Sequence, residues 1–409
     1  MNQTQNSIFS RGFIILCGVN FLFFFSFYML IPVLPLYLLN DLQAGKTLTG
    51  ILLSLYVLAA LLSRPFSGWL VDSRPRKAVF LAGAVFYVCT FCGYLWLSAF
   101  VLFGLLRVLH GIAFGLVNTA TVTLVVDIIP QSRLGSGMGV FGITAALPMA
   151  LGPMLGLVLY EHGGAVRVFY AALAAAAIGA LLGALAPAGK AVPEPPAPGT
   201  GILNNLLLPG VGKTAVEIAC IGFIYGLILN FISVYAQERG VSVGTGYFFG
   251  LLAVGMITSR LFAGQLIDNG KMDLAVYAGK AAYFLGLLLL AAVRSDALFI
   301  GAALLLGLAT GVLLPAFQTI VISMASPAQR GLANSNFFIA WDGGIGLALF
   351  SGGFIAELTS FNMLYLVSAP LVPLAAAIYH YAKGKVKRDA TSLNGRDEAQ
   401  PAPAGERLK

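Results

Sequence analysis

Long apolar runs recur from one end of this chain to the other, and no other feature constrains its folding as much. A helix needs about 20 mostly apolar residues to cross the hydrocarbon core of a bilayer. Runs of that kind are expected near 12–39, 47–70, 78–97, 99–128, 136–160, 166–187, 213–236, 245–267, 273–293, 296–324, 331–357 and 360–382. A helix satisfies its own backbone polar groups in lipid, which an open sheet cannot do. The expected fold is therefore an all-α membrane protein with twelve transmembrane helices. Only 10% of the residues are charged, against about 25% in soluble domains. A surface so poor in charge excludes a soluble enzyme and a nucleic-acid-binding domain, despite the net charge of +8. The first run is too long for a signal-peptide core and lacks a small-residue cleavage site, so it is expected to remain as a span.

The remaining charges sort by side. With both termini in the cytoplasm, Arg11, Arg74, Arg76, Lys77, Arg133, Lys190, Lys213, Lys271, Arg330 and the basic residues from Lys383 to Lys409 share the cytoplasmic face. Lys46, Arg167, Arg239 and Arg294 lie opposite. That bias follows the positive-inside rule and points to a multi-pass protein of a cell membrane, most simply a bacterial inner membrane. Between the sixth and seventh runs lies a polar stretch with Pro193, Pro195, Pro196 and Pro198, which reads as an extended linker. The expected organisation is an N-terminal six-helix bundle (1–187), a cytoplasmic linker (188–212), a C-terminal six-helix bundle (213–382) and a polar cytoplasmic tail (383–409), expected to be disordered.

The two halves repeat. Ser63-Arg64-Pro65-Phe66-Ser67-Gly68-Trp69-Leu70-Val71-Asp72 aligns with Ser259-Arg260-Leu261-Phe262-Ala263-Gly264-Gln265-Leu266-Ile267-Asp268 at an offset of 196 residues. The same offset aligns Gly111 and Gly115 with Gly307 and Gly311, and a slip of one residue aligns Pro130 and Arg133 with Pro327 and Arg330. A parallel duplication of a helix bundle, with a site between the halves, is a transporter architecture.

Three motifs carry a family resemblance. Gly68-Trp69-Leu70-Val71-Asp72-Ser73-Arg74-Pro75-Arg76-Lys77 resembles the loop signature G-x-L-x-D-R-x-G-R-R of the major facilitator superfamily, with Pro75 at the usual glycine. Arg107-Val108-Leu109-His110-Gly111 is similar to the family's R-x-x-Q-G, with His110 in place of glutamine. Gly139 and Gly152-Pro153-Met154-Leu155-Gly156 resemble the glycine–proline motif of twelve-helix drug/proton antiporters, with Pro148 and Leu157 at expected glycines. The resemblance implies two pseudo-symmetric six-helix bundles that rock around a central site. It also implies a latch at the loop, formed by Asp72, Arg74, Arg76 and Lys77 with Asp127, and a gating role for Gly152 and Pro153. It makes the first, fourth, seventh and tenth helices the cavity lining, so Asn20, Tyr28, His110, Asn118, Thr119, Tyr225, Asn230, Gln318 and Thr319 become candidate substrate contacts, each with interhelical hydrogen bonding as the alternative.

Charges at membrane depth are costly and usually face a cavity or a partner. Asp342 lies about 15 Å into the eleventh span, counting 1.5 Å per residue, beside Trp341, Gly343, Gly344 and Gly346. It reads as a proton-coupling group or a site for a cationic substrate, with an acid tied to backbone groups as the bland alternative. Arg107 either binds an anion or tunes a nearby acid, and the resemblance adds proton coupling. Its bland alternative is a partnership with backbone carbonyls. His110 is either titratable or a satisfied packing residue. Glu217 is either a second proton site or a side chain reaching back to the interface, and Lys280 is expected to reach the interface as well.

Other signals fall away. Cys89 and Cys92 form a C-x-x-C without a second Cys/His pair, so they and Cys17 and Cys220 read as packing residues. Gly210-Val211-Gly212-Lys213-Thr214 lacks both the glycine that a phosphate-binding loop needs at Leu207 and a preceding strand, so ATP-driven transport is unsupported. The expectation is a secondary transporter, not an enzyme, with no cofactor and no metal. It would export a small amphipathic compound or drug against protons, as a monomer in the lipid bilayer. Uptake of a nutrient such as a sugar or organic acid is the alternative, and a non-transporting receptor or assembly partner is a more distant one.

Overall fold

The computed structural model describes residues 9–96, 99–130, 133–188, 208, 210–325 and 330–381, and every regular element among them is helical. The elements are α1 (Arg11–Leu30), α2 (Val33–Leu36) with a π-helical turn (Tyr37–Asp41), α3 (Lys46–Ser73), α4 (Arg76–Trp96), α5 (Phe100–Ile128), α6 (Leu134–Ala184), α7 (Gly212–Glu238), α8 (Thr245–Asp268), α9 (Met272–Ala291), α10 (Asp296–Ser323), α11 (Arg330–Leu358) and α12 (Phe361–Ser368). A further helical stretch, 371–381, continues α12 beyond Pro370. Ten helices among the described residues are long and apolar enough to cross a membrane. Most linkers are too short to let consecutive helices run other than antiparallel, as the sequence anticipates.

Proline and serine set several boundaries. Ser10 and Ser360 cap α1 and α12 by accepting from the backbone N–H of Phe13 and Met363, both at 3.2 Å. Such a cap satisfies one of the four N–H groups orphaned at a helix start. Pro32 and Pro35 lack the donors that an unbroken helix needs, and the first span accordingly breaks after Leu30 and ends in the π turn.

The fifth and sixth expected spans form a single run of hydrogen-bonded helix, α6, 51 residues long. Straight, it would extend roughly 75 Å, far beyond a hydrocarbon core of about 30 Å. It folds back at Gly163 and Gly164, where the helical dihedrals fail and Gly164 adopts φ +71°. Packing against α1 shows the reversal. Thr144, Gly152 and Gly156 meet Asn20, Tyr28 and Met29 in ascending order, whereas Gly179, Leu182 and Pro187 meet Leu22, Gly18 and Gly12 in descending order. Divided there, the helix order follows the expected spans one for one.

The duplication is visible in the packing. A Cβ at Gly111 of α5 would overlap the Tyr56 carbonyl of α3, and one at the equivalent Gly307 of α10 would overlap the Leu252 carbonyl of α8. Ser63 packs on Gly115 as Ser259 packs on Gly311. Within the first half α1 packs on α6, α3 on α5 and α4 on α5; within the second α7 packs on α11, α8 on α10 and α9 on α10. The halves meet along α3 and α11, along α6 and α8, and where α2 touches α7. These contacts favour the end of the molecule opposite the chain termini. There Lys46 donates to Glu238 at 2.6 Å, the Thr47 N–H donates to Glu357 at 2.6 Å, and Gly50 lies against Gly353. Ser233 donates to the Pro32 carbonyl at 2.8 Å. Apart from Ala188, Leu208, Gly210, Val211 and Gly212, the linker lies outside the described residues, as does the tail from 382.

Candidate coupling and substrate site

Charged side chains occupy three levels of this bundle. At the terminal end Arg76, the first residue of α4, donates to Asp127 near the end of α5, and both side chains are almost wholly buried. Two residues of the expected latch thus form an ion pair within the first half. Arg74 is exposed, Lys77 is half-buried, and the Asp72 side chain lies outside the described ones.

At mid-depth Arg64 of α3 donates to the Asp342 carboxylate of α11 at 2.5 Å. This ion pair crosses between the halves, and each side chain keeps 26% of its surface exposed. Arg64 also lies over the Phe338 ring at 5.8 Å. Close helix approach positions Asp342, because the neighbouring Gly344 rests against Ala219 and Phe223 of α7. Trp341 stacks near Tyr225, with centroids 5.3 Å apart. Tyr28 lies in the neighbourhood of Asp342, and Tyr225 in that of Tyr28 and Arg260. The Tyr225 hydroxyl is buried and without a hydrogen-bond partner, as is Arg260 Nε.

The third level lies inside each half. Arg107 is buried in the first half without an acid. It donates to the Tyr94 hydroxyl at 3.2 Å and the Leu53 carbonyl at 3.3 Å, and lies 4.6 Å above the Tyr56 ring. His110 is fully buried, with Nδ1 2.8 Å from the Tyr94 hydroxyl and the rings of Phe27, Tyr56, Tyr87, Phe91 and Tyr94 around it. In the second half Lys280 donates to Glu217, and to the Ala375 carbonyl at 3.0 Å. This corrects the expectation that Lys280 reaches the interface: it is 2% exposed, because an acid and a carbonyl inside the bundle replace the water it would otherwise seek.

Asp342, Arg107 and Glu217 therefore do not share one site. Asp342 lies between the halves, Arg107 inside the first and Glu217 inside the second. Among the polar candidates, Asn20 is buried and donates to Thr144 at 2.9 Å. Asn230, Thr119 and Thr319 spend their donors on carbonyls of their own helices. Tyr28, Asn118 and Gln318 are half-buried. Gly152 and Pro153 are buried, with Gly152 against Tyr28 and Met29 of α1. Arg64 escapes the sequence reading as a partner for Asp342. The available signal is arithmetic: few charges lie within spans, and each acid among them needs a base.

Comparison with known proteins agrees with this geometry. The family profile described as Major Facilitator Superfamily matches residues 16–295 and 275–407. The chain is 25% identical over 365 residues to the uncharacterized MFS-type transporter YhhS of Escherichia coli (strain K12), covering 87% of this chain and 88% of that one. YhhS of Salmonella typhimurium matches at the same identity and coverage. Among solved structures, the nucleoside transporter NupG superposes with a TM-score of 0.71 at 16% identity, over 90% of this chain and 99% of that one. A bacterial homolog of the human lysosomal transporter Spinster, in an inward-facing and unoccupied conformation, gives 0.73 at 14% identity, over 99% and 100%. Duplication, packing and profile converge: the chain belongs to the Major Facilitator Superfamily, a family of membrane transporters.

Proposed function

We propose that this protein exports a small amphipathic compound in exchange for protons, by alternating access, with Asp342 as the group that carries the proton. The observation that carries the reading is the Arg64–Asp342 pair, which joins the two halves at mid-depth. A proton and Arg64 compete for the same carboxylate. Protonation of Asp342 removes the acceptor that ties α11 to α3, so the proton shifts the balance between states by the difference in its affinity for them. Pairing with Arg64 also favours a proton over a cationic cargo at Asp342.

The arrangement of contacts supports an inward-facing state. With the termini in the cytoplasm, as the basic loops imply, Lys46, Glu238, Thr47 and Glu357 close the outer end. Arg76 and Asp127 form the cytoplasmic latch pair. The likeness to a structure described as inward-facing is consistent with this. The close seat of Gly152 on α1 supports the antiporter reading, whereas Pro148 and Leu157 at expected glycines favour uptake as the second reading. The protein is proposed to work as a monomer in a bacterial inner membrane.

The test uses purified protein in proteoliposomes with a pH-sensitive dye inside and a panel of aromatic acids, bases and neutral compounds. Wild type moves protons when a substrate is added, in the direction opposite to the substrate. Asp342→Asn exchanges labelled substrate but moves no protons. Unchanged proton-coupled flux in Asp342→Asn refutes the assignment, and flux of protons and substrate in the same direction selects uptake.

A further inference from the structure

The duplication builds two arginines in equivalent places and gives only one of them an acid. Arg64 of α3 and Arg260 of α8 are 196 residues apart, and each follows a serine whose hydroxyl bonds the carbonyl three residues earlier. Those serines pack on the equivalent glycines Gly115 and Gly311. Arg64 reaches across the interface to Asp342 of α11. By the same symmetry Arg260 faces α6. Contacts fix the correspondence. Gly50 of α3 meets Leu349 and Gly353 of α11, while its equivalent Gly246 of α8 meets Met154 and Val158 of α6. Leu349 thus corresponds to Met154 and Gly353 to Val158, which puts Leu147 in the place of Asp342, and α6 has no acidic residue before Glu161.

Among the described residues no other element supplies the missing charge. Glu217 is bonded to Lys280, Asp127 to Arg76, and Asp342 to Arg64. Asp296 starts α10 and is bonded to Ser242, at the end of the molecule opposite the termini. Among the described residues Arg260 has no acid within ion-pair distance, and its buried Nε has no hydrogen-bond partner. Nearby, the Tyr225 hydroxyl is also an orphan. Arg260 Nε and the Tyr225 hydroxyl are both buried and unpartnered, and such groups call for an acceptor from outside the chain. Next to them stand the rings of Tyr225, Trp341 and Phe337, with centroids 5.3 and 6.2 Å apart along the row.

We infer that Arg260 and Tyr225 bind the carboxylate of the transported compound, and that the cargo is an aromatic or similarly apolar organic anion. The guanidinium supplies charge and parallel donors for the carboxylate, the phenol donates to it, and the aromatic row takes the apolar body. The position that holds Asp342 in one half is left to the cargo in the other. This names the substrate class for the transport proposed above and rests on that reading.

The experiment follows the melting of the purified full-length protein during titration with benzoate, 2-naphthoate and indole-3-acetate, and with their neutral amides. A ligand of the folded state raises Tm with concentration. At least one acid stabilises the wild type and its amide does not. Arg260→Gln weakens that acid at least tenfold. Leu147→Asp provides the internal partner that the symmetry lacks and abolishes acid binding while the unliganded protein melts no lower than wild type. This second variant keeps the test decisive if Arg260→Gln folds poorly. The inference is overturned if none of the three acids binds, if amides bind as well as acids, or if Leu147→Asp binds the acid unchanged. Acid binding without proton-coupled flux would leave this site standing and refute the transport reading. Proton-coupled flux of a neutral cargo, insensitive to Arg260→Gln, would do the reverse.

Discussion

Glutamate 217 offers a decisive perturbation, because its partner has little else to hold it. Lys280 and Glu217 are 2% exposed, on α9 and α7. Besides Glu217, the ammonium has the Ala375 carbonyl at 3.0 Å and the faces of Tyr379 and Phe317 at 4.7 and 5.4 Å. Glu217→Gln keeps the shape and removes the countercharge. Ring faces contribute about 2 kcal/mol at best when desolvated, less than the cost of stranding a buried cation. Breaking a buried pair from one side costs about 3–5 kcal/mol, roughly 140- to 3700-fold in the folding equilibrium at 1.4 kcal/mol per factor of ten. Lys280→Met strands the carboxylate and costs a similar amount. The double variant strands nothing, and such replacements are neutral to stabilising by about 1–4 kcal/mol. Thermal unfolding in detergent, followed by tryptophan fluorescence, should show each single variant melting on the order of 5–10 °C lower and the double variant near wild type. Single variants that melt with wild type, or a double variant as unstable as its parents, refute the reasoning. Flux through the double variant decides a second question. Preserved proton coupling makes Glu217 structural, and lost coupling in a stable protein makes it a carrier of protons.

Two further perturbations test the ends of the molecule. Gly50→Leu places a side chain where α3 lies on the Leu349 carbonyl and Gly353, so it should hold the outer ends apart; labelling of an engineered cysteine near the outer mouth by an impermeant reagent should rise severalfold, and unchanged labelling refutes the placement of the outer closure. Asp127→Asn leaves Arg76, itself 9% exposed, without its acid and should cost about 3 kcal/mol or more, read as a lowered Tm, with Arg76→Met/Asp127→Leu recovering most of it.

Element order was legible because hydrophobic length is a one-dimensional property. Each expected span lies within a few residues of a helix or a broken helix, and the discrepancies are local. Gly163 and Gly164 turn the chain without interrupting the hydrogen-bonded run long enough to end it, so two spans read as one helix. Asp342, Arg107 and Glu217 were legible as unusual because charge at membrane depth is rare. Their partners were not, since Arg64 lies 278 residues from Asp342 and Lys280 lies 63 from Glu217. Pairing across such separations depends on which helix faces touch. Polar residues are harder to read for a related reason. Asn230, Thr119 and Thr319 look like cavity contacts in a helical projection, yet each bonds its own helix, which side chains of that length can do without leaving the turn.

Duplication explains where the chemistry concentrates. Two copies of one bundle begin with the same charges at the same places, and any difference between them needs a physical counterpart. The first copy buries Arg107 among tyrosines; the second buries Lys280 against Glu217. Both solutions hold a cation inside one half, so neither requires the halves to move. The α3 and α8 arginines differ from these because they lie where the copies meet. There an ion pair formed within the chain, such as Arg64–Asp342, biases one conformation, whereas an arginine with no acid partner among the described residues, such as Arg260, remains available to a ligand. A transporter needs one group of each kind at its centre, one to sense the coupling ion and one to hold the cargo. If that division is correct, exchanging the roles should exchange the phenotypes: Leu147→Asp combined with Asp342→Leu moves the acid from Arg64 to Arg260, and should transfer acid binding from Arg260 to Arg64. Carboxylate binding that becomes sensitive to Arg64→Gln and insensitive to Arg260→Gln in that background would show that the pseudo-symmetry itself, rather than either arginine's surroundings, sets which half holds the cargo.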